Sequence, residues 1–133
     1  MKKIWLCALL FLTLAGCDNT STETKAPLVE LQGGVKVPSG ATEIKNYIAE
    51  KNASKRQHYI FDFDKSMSST DEELTRALAE QGYSRQVKSE TDEVVHLYFK
   101  KNDASTIVAI LKPAGPGKTR LAMSWEVQKN PNN

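Results

Sequence analysis

Between residues 94 and 127 the chain carries three strand-like segments in close succession, and this limits the possible architecture more than any other feature. Val94 to Lys100 is apolar on both parities, Val95, Leu97 and Phe99 alternating with Val94, His96 and Tyr98. Thr106 to Leu111 is a continuous apolar run, bounded by the turn residues Lys101-Asn102-Asp103 before it and by Pro113 after it. Arg120 to Val127 has a period of two: Leu121, Met123, Trp125 and Val127 point one way, Arg120, Ala122, Ser124 and Glu126 the other. A shorter strand, Tyr83 to Lys88, precedes the turn at Ser89-Glu90-Thr91-Asp92. Connections of hairpin length join neighbours in antiparallel fashion, so a four-stranded antiparallel meander is expected.

One helix is expected ahead of this meander, from about Thr70 to Gln81. Ser69 and Glu72 read as a capping box, Asp71 to Glu73 suit the positive end of the helix dipole, and Gly82 is placed to terminate it. Leu74, Ala77, Leu78 and Gln81 fall on one narrow stripe, which must pack on a sheet. Upstream, Tyr59 to Phe63 reads as a strand. Thr42 to Glu50 is ambiguous: Ile44, Tyr47 and Ile48 have helical spacing, but Asn52-Ala53-Ser54 reads as a hairpin loop, and a strand is expected. The order is then ββ-α-ββββ, an α+β fold with a single helix packed on a twisted antiparallel sheet.

The N-terminus carries a different kind of signal. Met1-Lys2-Lys3 is a short positive region, and Ile4 to Leu14 is an apolar stretch too short to span a bilayer. Leu14-Ala15-Gly16-Cys17 follows, an aliphatic residue and two small ones before a cysteine, and then the polar run Asp18-Asn19-Thr20-Ser21-Thr22-Glu23. This segment resembles the lipobox of bacterial lipoproteins at all four positions. The resemblance implies cleavage between Gly16 and Cys17 and attachment of lipid to the Cys17 thiol. Two or three acyl chains anchor a protein stably where one does not. In enteric members of that family an aspartate at the position of Asp18 implies retention in the inner membrane. The expected organisation is a signal peptide over 1–16, a lipidated cysteine and flexible tether over 17–34, a domain over 35–128 and a polar tail over 129–133. Val37-Pro38-Ser39-Gly40-Ala41 ahead of a strand, a helix ending in Gly-Tyr and a final meander are also similar to small periplasmic lipoproteins of undefined role.

Cleavage changes the charge balance. Loss of Lys2 and Lys3 lowers the 18 basic residues to match the 16 acidic ones. A neutral domain lacks the basic excess that displaces counterions from phosphates, so no nucleic-acid partner is expected. Cys7 departs with the signal segment and Cys17 is modified, which excludes disulfides, thiolate catalysis and cysteine-based zinc sites from the folded domain.

Two segments imitate catalytic motifs. Ile60-Phe61-Asp62-Phe63-Asp64-Lys65-Ser66 is similar to the first motif of the haloacid-dehalogenase phosphatases, which implies Asp62 as nucleophile and Asp64 as acid/base beside magnesium. That family usually has glycine where this chain has Lys65, and it uses a parallel sheet far longer than the residues remaining here. Phe61 and Phe63 facing inward with Asp62 and Asp64 in solvent explain the pattern more simply. Gly115-Pro116-Gly117-Lys118-Thr119 imitates the end of a phosphate-binding loop, but Lys112 occupies the position of its first glycine and a strand follows in place of a helix. His58 and His96 have no partner at helical spacing, no serine sits in a nucleophile elbow, and no metal or cofactor is expected.

What is left is a surface. Val94, His96, Tyr98, Val108 and Ile110 share the sheet face away from the helix. They are expected either to form an apolar partner-binding patch or to lie under a second core layer made by residues 35 to 50, the covered arrangement being favoured. The expected function is a non-enzymatic, membrane-anchored, periplasm-facing interaction module with a protein partner. An immunity or inhibitor protein is its specific form; a subunit of an envelope assembly, an Asp62/Asp64 phosphohydrolase and a carrier of an apolar ligand between helix and sheet are the alternatives.

Overall fold

The computed structural model describes residues 27–127. In chain order these form β1 (Leu28–Glu30), a 3-10 turn (Gln32–Gly34), β2 (Lys36–Pro38), β3 (Thr42–Lys51), β4 (Ser54–Phe63), α1 (Met67–Glu80), β5 (Ser84–Glu90), β6 (Val95–Lys100), β7 (Ile107–Gly115) and β8 (Lys118–Glu126). The fold is α+β, one helix on an antiparallel sheet in the layout ββ-α-ββββ, with β1 and β2 as a short additional ribbon ahead of it. The main sheet has six strands in the order β3-β4-β8-β7-β6-β5. The C-terminal meander therefore joins the N-terminal hairpin through β8, which pairs with both β4 and β7.

Period-two alternation sends one set of side chains to the helix side. Tyr59, Phe61 and Phe63 of β4, Leu121, Met123 and Trp125 of β8, Ile107, Ala109 and Leu111 of β7, and Val95, Leu97 and Phe99 of β6 are all buried there. Leu74, Ala77 and Leu78 of α1 meet them. Each fully buried large side chain contributes about 1.5–3 kcal/mol of transfer free energy, so this face carries the stability of the domain.

The helix begins earlier than the sequence indicates. Ser66, not Ser69, is the N-cap: its hydroxyl accepts the backbone N–H of Ser69 at 3.2 Å. Met67 packs against the core from the added first turn, which is the gain that moves the start forward. The buried stripe accordingly includes Thr70, whose hydroxyl donates to the Ser66 carbonyl at 2.9 Å. The C-terminus ends as expected. Gly82 has φ +92°, its N–H donates to Ala79 O and that of Tyr83 to Leu78 O, both at 3.0 Å, a Schellman closure.

Residues 28–34, expected as part of the tether, are instead folded onto the domain. β1 pairs with β2, Val35 and Val37 are buried in the core, and the Gln32 N–H donates to the Tyr59 hydroxyl at 3.0 Å. Gln81, expected on the apolar stripe, is half-buried and holds this ribbon: its amide accepts from Lys36 N and donates to Lys36 O, both at 2.8 Å. Residues 35 to 38 thus complete the helix layer, and residues 42 to 51 form the edge strand of the sheet. Among the described residues no second layer lies over the opposite face, contrary to the favoured expectation, because residues 42 to 51 extend the sheet at its edge and Val35 and Val37 pack beside α1. The signal segment, Cys17, Asp18, residue 128 and the polar tail over 129–133 lie outside the described residues.

The β3–β4 turn is tight. Asn52 and Ala53 both have positive φ, 52° and 63°, the geometry of a two-residue turn whose twist matches that of the strands. Asparagine tolerates this conformation; alanine is strained in it. Ala53→Gly is expected to raise unfolding free energy by about 0.5–1 kcal/mol, read from chemical denaturation midpoints at unchanged m-value. An unchanged or lowered midpoint would refute strain at this turn.

Candidate functional site: the uncovered face of the sheet

Strand register sets two rows of side chains across the whole width of the uncovered face. One row runs Tyr47, His58, Ser124, Val108, Tyr98 and Gln86. The next runs Lys45, Ile60, Ala122, Ile110, His96 and Ser89. His96, Tyr98, Val108 and Ile110 are thus neighbours, and Val94 joins them by alternation at the entry to β6. Ile60, Ala122, Tyr47 and His58 extend the patch. Sequence reasoning assigned Ala122 outward and read Ile60 within a strand, but it did not connect them, because the β4–β8 register joins segments about sixty residues apart.

The apolar centre lies between two aromatic pairs. On one side Tyr47 and His58 stack with ring centroids 4.7 Å apart and planes at 3°. On the other the His96 and Tyr98 rings meet edge to face at 5.4 Å. Cations cap both: Lys45 Nζ is 4.8 Å from the Tyr47 centroid and Lys88 Nζ 5.3 Å from that of Tyr98. Lys88 reaches the ring because it is the extra residue of the bulge between Val87 and Ser89. Arg56 donates to Ser124 Oγ at 3.0 Å, and Lys112 stands in register with Arg120. The rim is therefore basic. Each ammonium over a ring gains about 0.5–1 kcal/mol, and the aromatic surface holds the charge close to the apolar centre.

His96 adds an unusual group. Its Nε2 is enclosed, yet among the described residues it has no hydrogen-bond partner. Enclosing such an atom unpaired costs on the order of 1–3 kcal/mol. It lies on the same patch as the apolar residues and faces the same way.

The two aspartates have structural partners. Asp62 receives a forked pair of hydrogen bonds from Arg120, at 2.8 and 3.0 Å, directly across the β4–β8 ladder. These bonds hold its carboxyl below the ordinary carboxylate range. Asp64 is highly exposed and lies 3.6 Å from Lys118. Phe61 and Phe63 are buried on the opposite face. Gly115 to Thr119 is the β7–β8 turn, where Gly115 and Gly117 have φ of 135° and 67°. The Thr119 hydroxyl donates to the Lys65 carbonyl at 2.8 Å. Among the described residues no group of three His, Cys, Asp or Glu side chains is placed to hold a metal ion.

A cleft of about 660 Å³ opens past the C-terminal end of α1, between the 3-10 turn and Trp125. Its walls mix Gln81, Lys101 and Ser105 with Tyr83, Ile107 and Trp125. It lies beyond the helix–sheet interface, which Leu74, Leu78, Leu97 and Leu121 fill.

His58 gives the face a pH dependence. Partial burial, and after it the charge of Arg56, holds its pKa below the ordinary 6.5. The unfolded chain therefore takes up this proton at a higher pH than the folded one. Stability is full above about pH 6.5 and falls as pH drops through the interval down to the lowered folded-state value. His58→Phe preserves the stack on Tyr47 and removes the titration. Its denaturation midpoint is expected to vary less than that of the wild type between about pH 5 and 7.5. Equal variation in both proteins would exclude His58 as the source.

No family model, no curated protein and no solved structure matches this chain.

Proposed function

We propose that this chain is a lipid-anchored protein of the bacterial envelope, held at the membrane through Cys17 and facing the periplasm. Its uncovered sheet face grips an acidic protein partner, and it performs no chemistry of its own. The observation that carries this proposal is the apolar band Ile60, Ala122, Val108 and Ile110, set between two cation-capped aromatic pairs on a face that none of the described residues covers.

Charge supports an acidic partner. The chain without its first sixteen residues is formally neutral, yet Lys45, Arg56, Lys88 and Lys112 gather on this face. Of the carboxylates on this face Asp62 and Asp64 are paired with Arg120 and Lys118, and Glu126 stands in register with Arg56. A carboxylate-bearing surface meets the remaining cations Lys45, Lys88 and Lys112 here and gains in association rate and register. Six strands about 4.8 Å apart give a face roughly 25 Å wide. That is on the order of 500 Å² with the rim included, the share of one partner in a small, transient interface. A secreted toxin or lytic enzyme with an acidic surface is such a partner, and neutralising it is an immunity or inhibitor role.

The test is a crosslinked pull-down from native membranes with C-terminally tagged protein, wild type against Ile110→Glu. The wild type is expected to retain one stoichiometric acidic partner, less of it at high salt, and Ile110→Glu to retain at least about ten-fold less with its melting transition preserved. Equal capture by the variant would overturn the assignment of the face. The anchor is tested separately: Cys17→Ser is expected to accumulate as unprocessed precursor without lipid, and a variant still cut to mature size would overturn the lipobox.

A further inference from the structure

We propose that the outer edge of β3 pairs with the same edge of a second copy of this chain, about a two-fold axis through Asn46, so that two six-stranded sheets become one. The inference rests on the edge of β3, which shares Lys45 and Tyr47 with the partner face but whose apolar contacts, Ile44 and Ile48, lie outside it.

Among the described residues β3 has β4 on one side and no strand on the other. Its backbone edge is open over Thr42–Lys51, and it carries three large apolar side chains in solvent: Ile44 at 51% exposure, Tyr47 at 39% and Ile48 at 58%. The opposite edge is different. β5 exposes only Val87 among its large apolar residues, at 43%, and carries Arg85, Lys88 and Glu90, the charged guarding usual on edges that stay single. β3 also carries Glu43, Lys45, Glu50 and Lys51, but it sets three large apolar side chains in solvent where β5 sets one.

Geometry selects the register. An axis perpendicular to the sheet leaves helix side with helix side, so facing residues must share a parity. With the axis at Asn46, Ile44 faces Ile48 twice, Lys45 faces Tyr47 twice, and the two Asn46 amides face each other. The isoleucines then make a small apolar cluster on the helix side. Lys45 and Tyr47, already 4.8 Å apart within one chain, repeat that cation–ring contact across the joint on the other side. An axis at Tyr47 sets Ile44 against Glu50, and one at Ile48 sets Lys45 against Lys51. Of these three axes only Asn46 sets isoleucine against isoleucine, gives Tyr47 a cation and avoids a like-charge pair. Ile44 is itself the extra residue of the bulge between Glu43 and Lys45, so regular pairing spans Lys45 to Tyr47 with the isoleucines closing its ends, and the association is reversible.

The experiment is oxidative crosslinking in intact cells expressing the full-length chain as Asn46→Cys or Glu50→Cys, with the wild type, which keeps Cys7 and Cys17, setting the background. At this register the two Asn46 Cα atoms lie within about 5.5 Å, inside disulfide range. The two Glu50 positions lie eight residues of strand apart, about 27 Å. Asn46→Cys is expected to give a reducible dimer well above background and Glu50→Cys none. Adding Ile48→Lys, at a position already in solvent, is expected to lower the Asn46→Cys dimer several-fold. No dimer from Asn46→Cys, equal dimer from both positions, or an adduct of Asn46→Cys with a different protein would each overturn self-pairing at this edge.

Discussion

Everything in this fold depends on the sheet being covered from one side only. A helix of 14 residues is about 21 Å long and 10 Å wide, too narrow to cover six strands. The rest of the cover comes from the ribbon of β1 and β2, and the Gln81 side chain makes the two into one layer by pairing with both backbone groups of Lys36. Asp71 ties the helix to the far side of the sheet through forked hydrogen bonds from Arg85, at 3.0 and 2.6 Å. With that cover complete, the chain has no residues left to build a second layer among those described. The bare face follows from the same shortage.

A bare apolar face on a small domain normally invites aggregation. Here the rows are diluted: Ser124 separates His58 from Val108, Ala122 separates Ile60 from Ile110, and a cation stands over each aromatic pair. The large residues shield one another to half-exposure, and the charges keep identical faces apart. Such a surface is poor at meeting a copy of itself and well suited to a partner of opposite sign. The β3 edge has the reverse character, with apolar residues placed to meet their like.

The meander and the β3–β4 hairpin were legible in the sequence because period-two alternation and turn residues are local signals. Gly82 was legible as a helix end for the same reason: few other residues adopt its backbone conformation. Three features were not. The N-cap was misplaced because Ser66, Ser68 and Ser69 offer nearly equal caps, and the packing of Met67 decides among them. The ribbon was missed because strands of three residues carry no period, and its hydrogen bonds come from Gln81 and Tyr59, distant in sequence. The bare face was read as covered because β6 is apolar on both parities. That pattern does mark a central strand, but it does not say what lies over the second side. Of the candidate site, the five residues on β6 and β7 were found; Ile60, His58 and Tyr47 required the register.

The central position of β8 has a consequence for the order of events. It is the last of the described strands to be made, yet it joins the two halves: β4 finds its inner neighbour, and Thr119 its acceptor at Lys65, only when residues 118–126 are available. Until then the hairpin and helix have half a sheet to lie on. Folding is therefore deferred until residues 118–126 have been made and must close a long loop, which slows it. A chain of this order stays open, with the inner edge of β4 unpaired, for as long as β8 takes to appear.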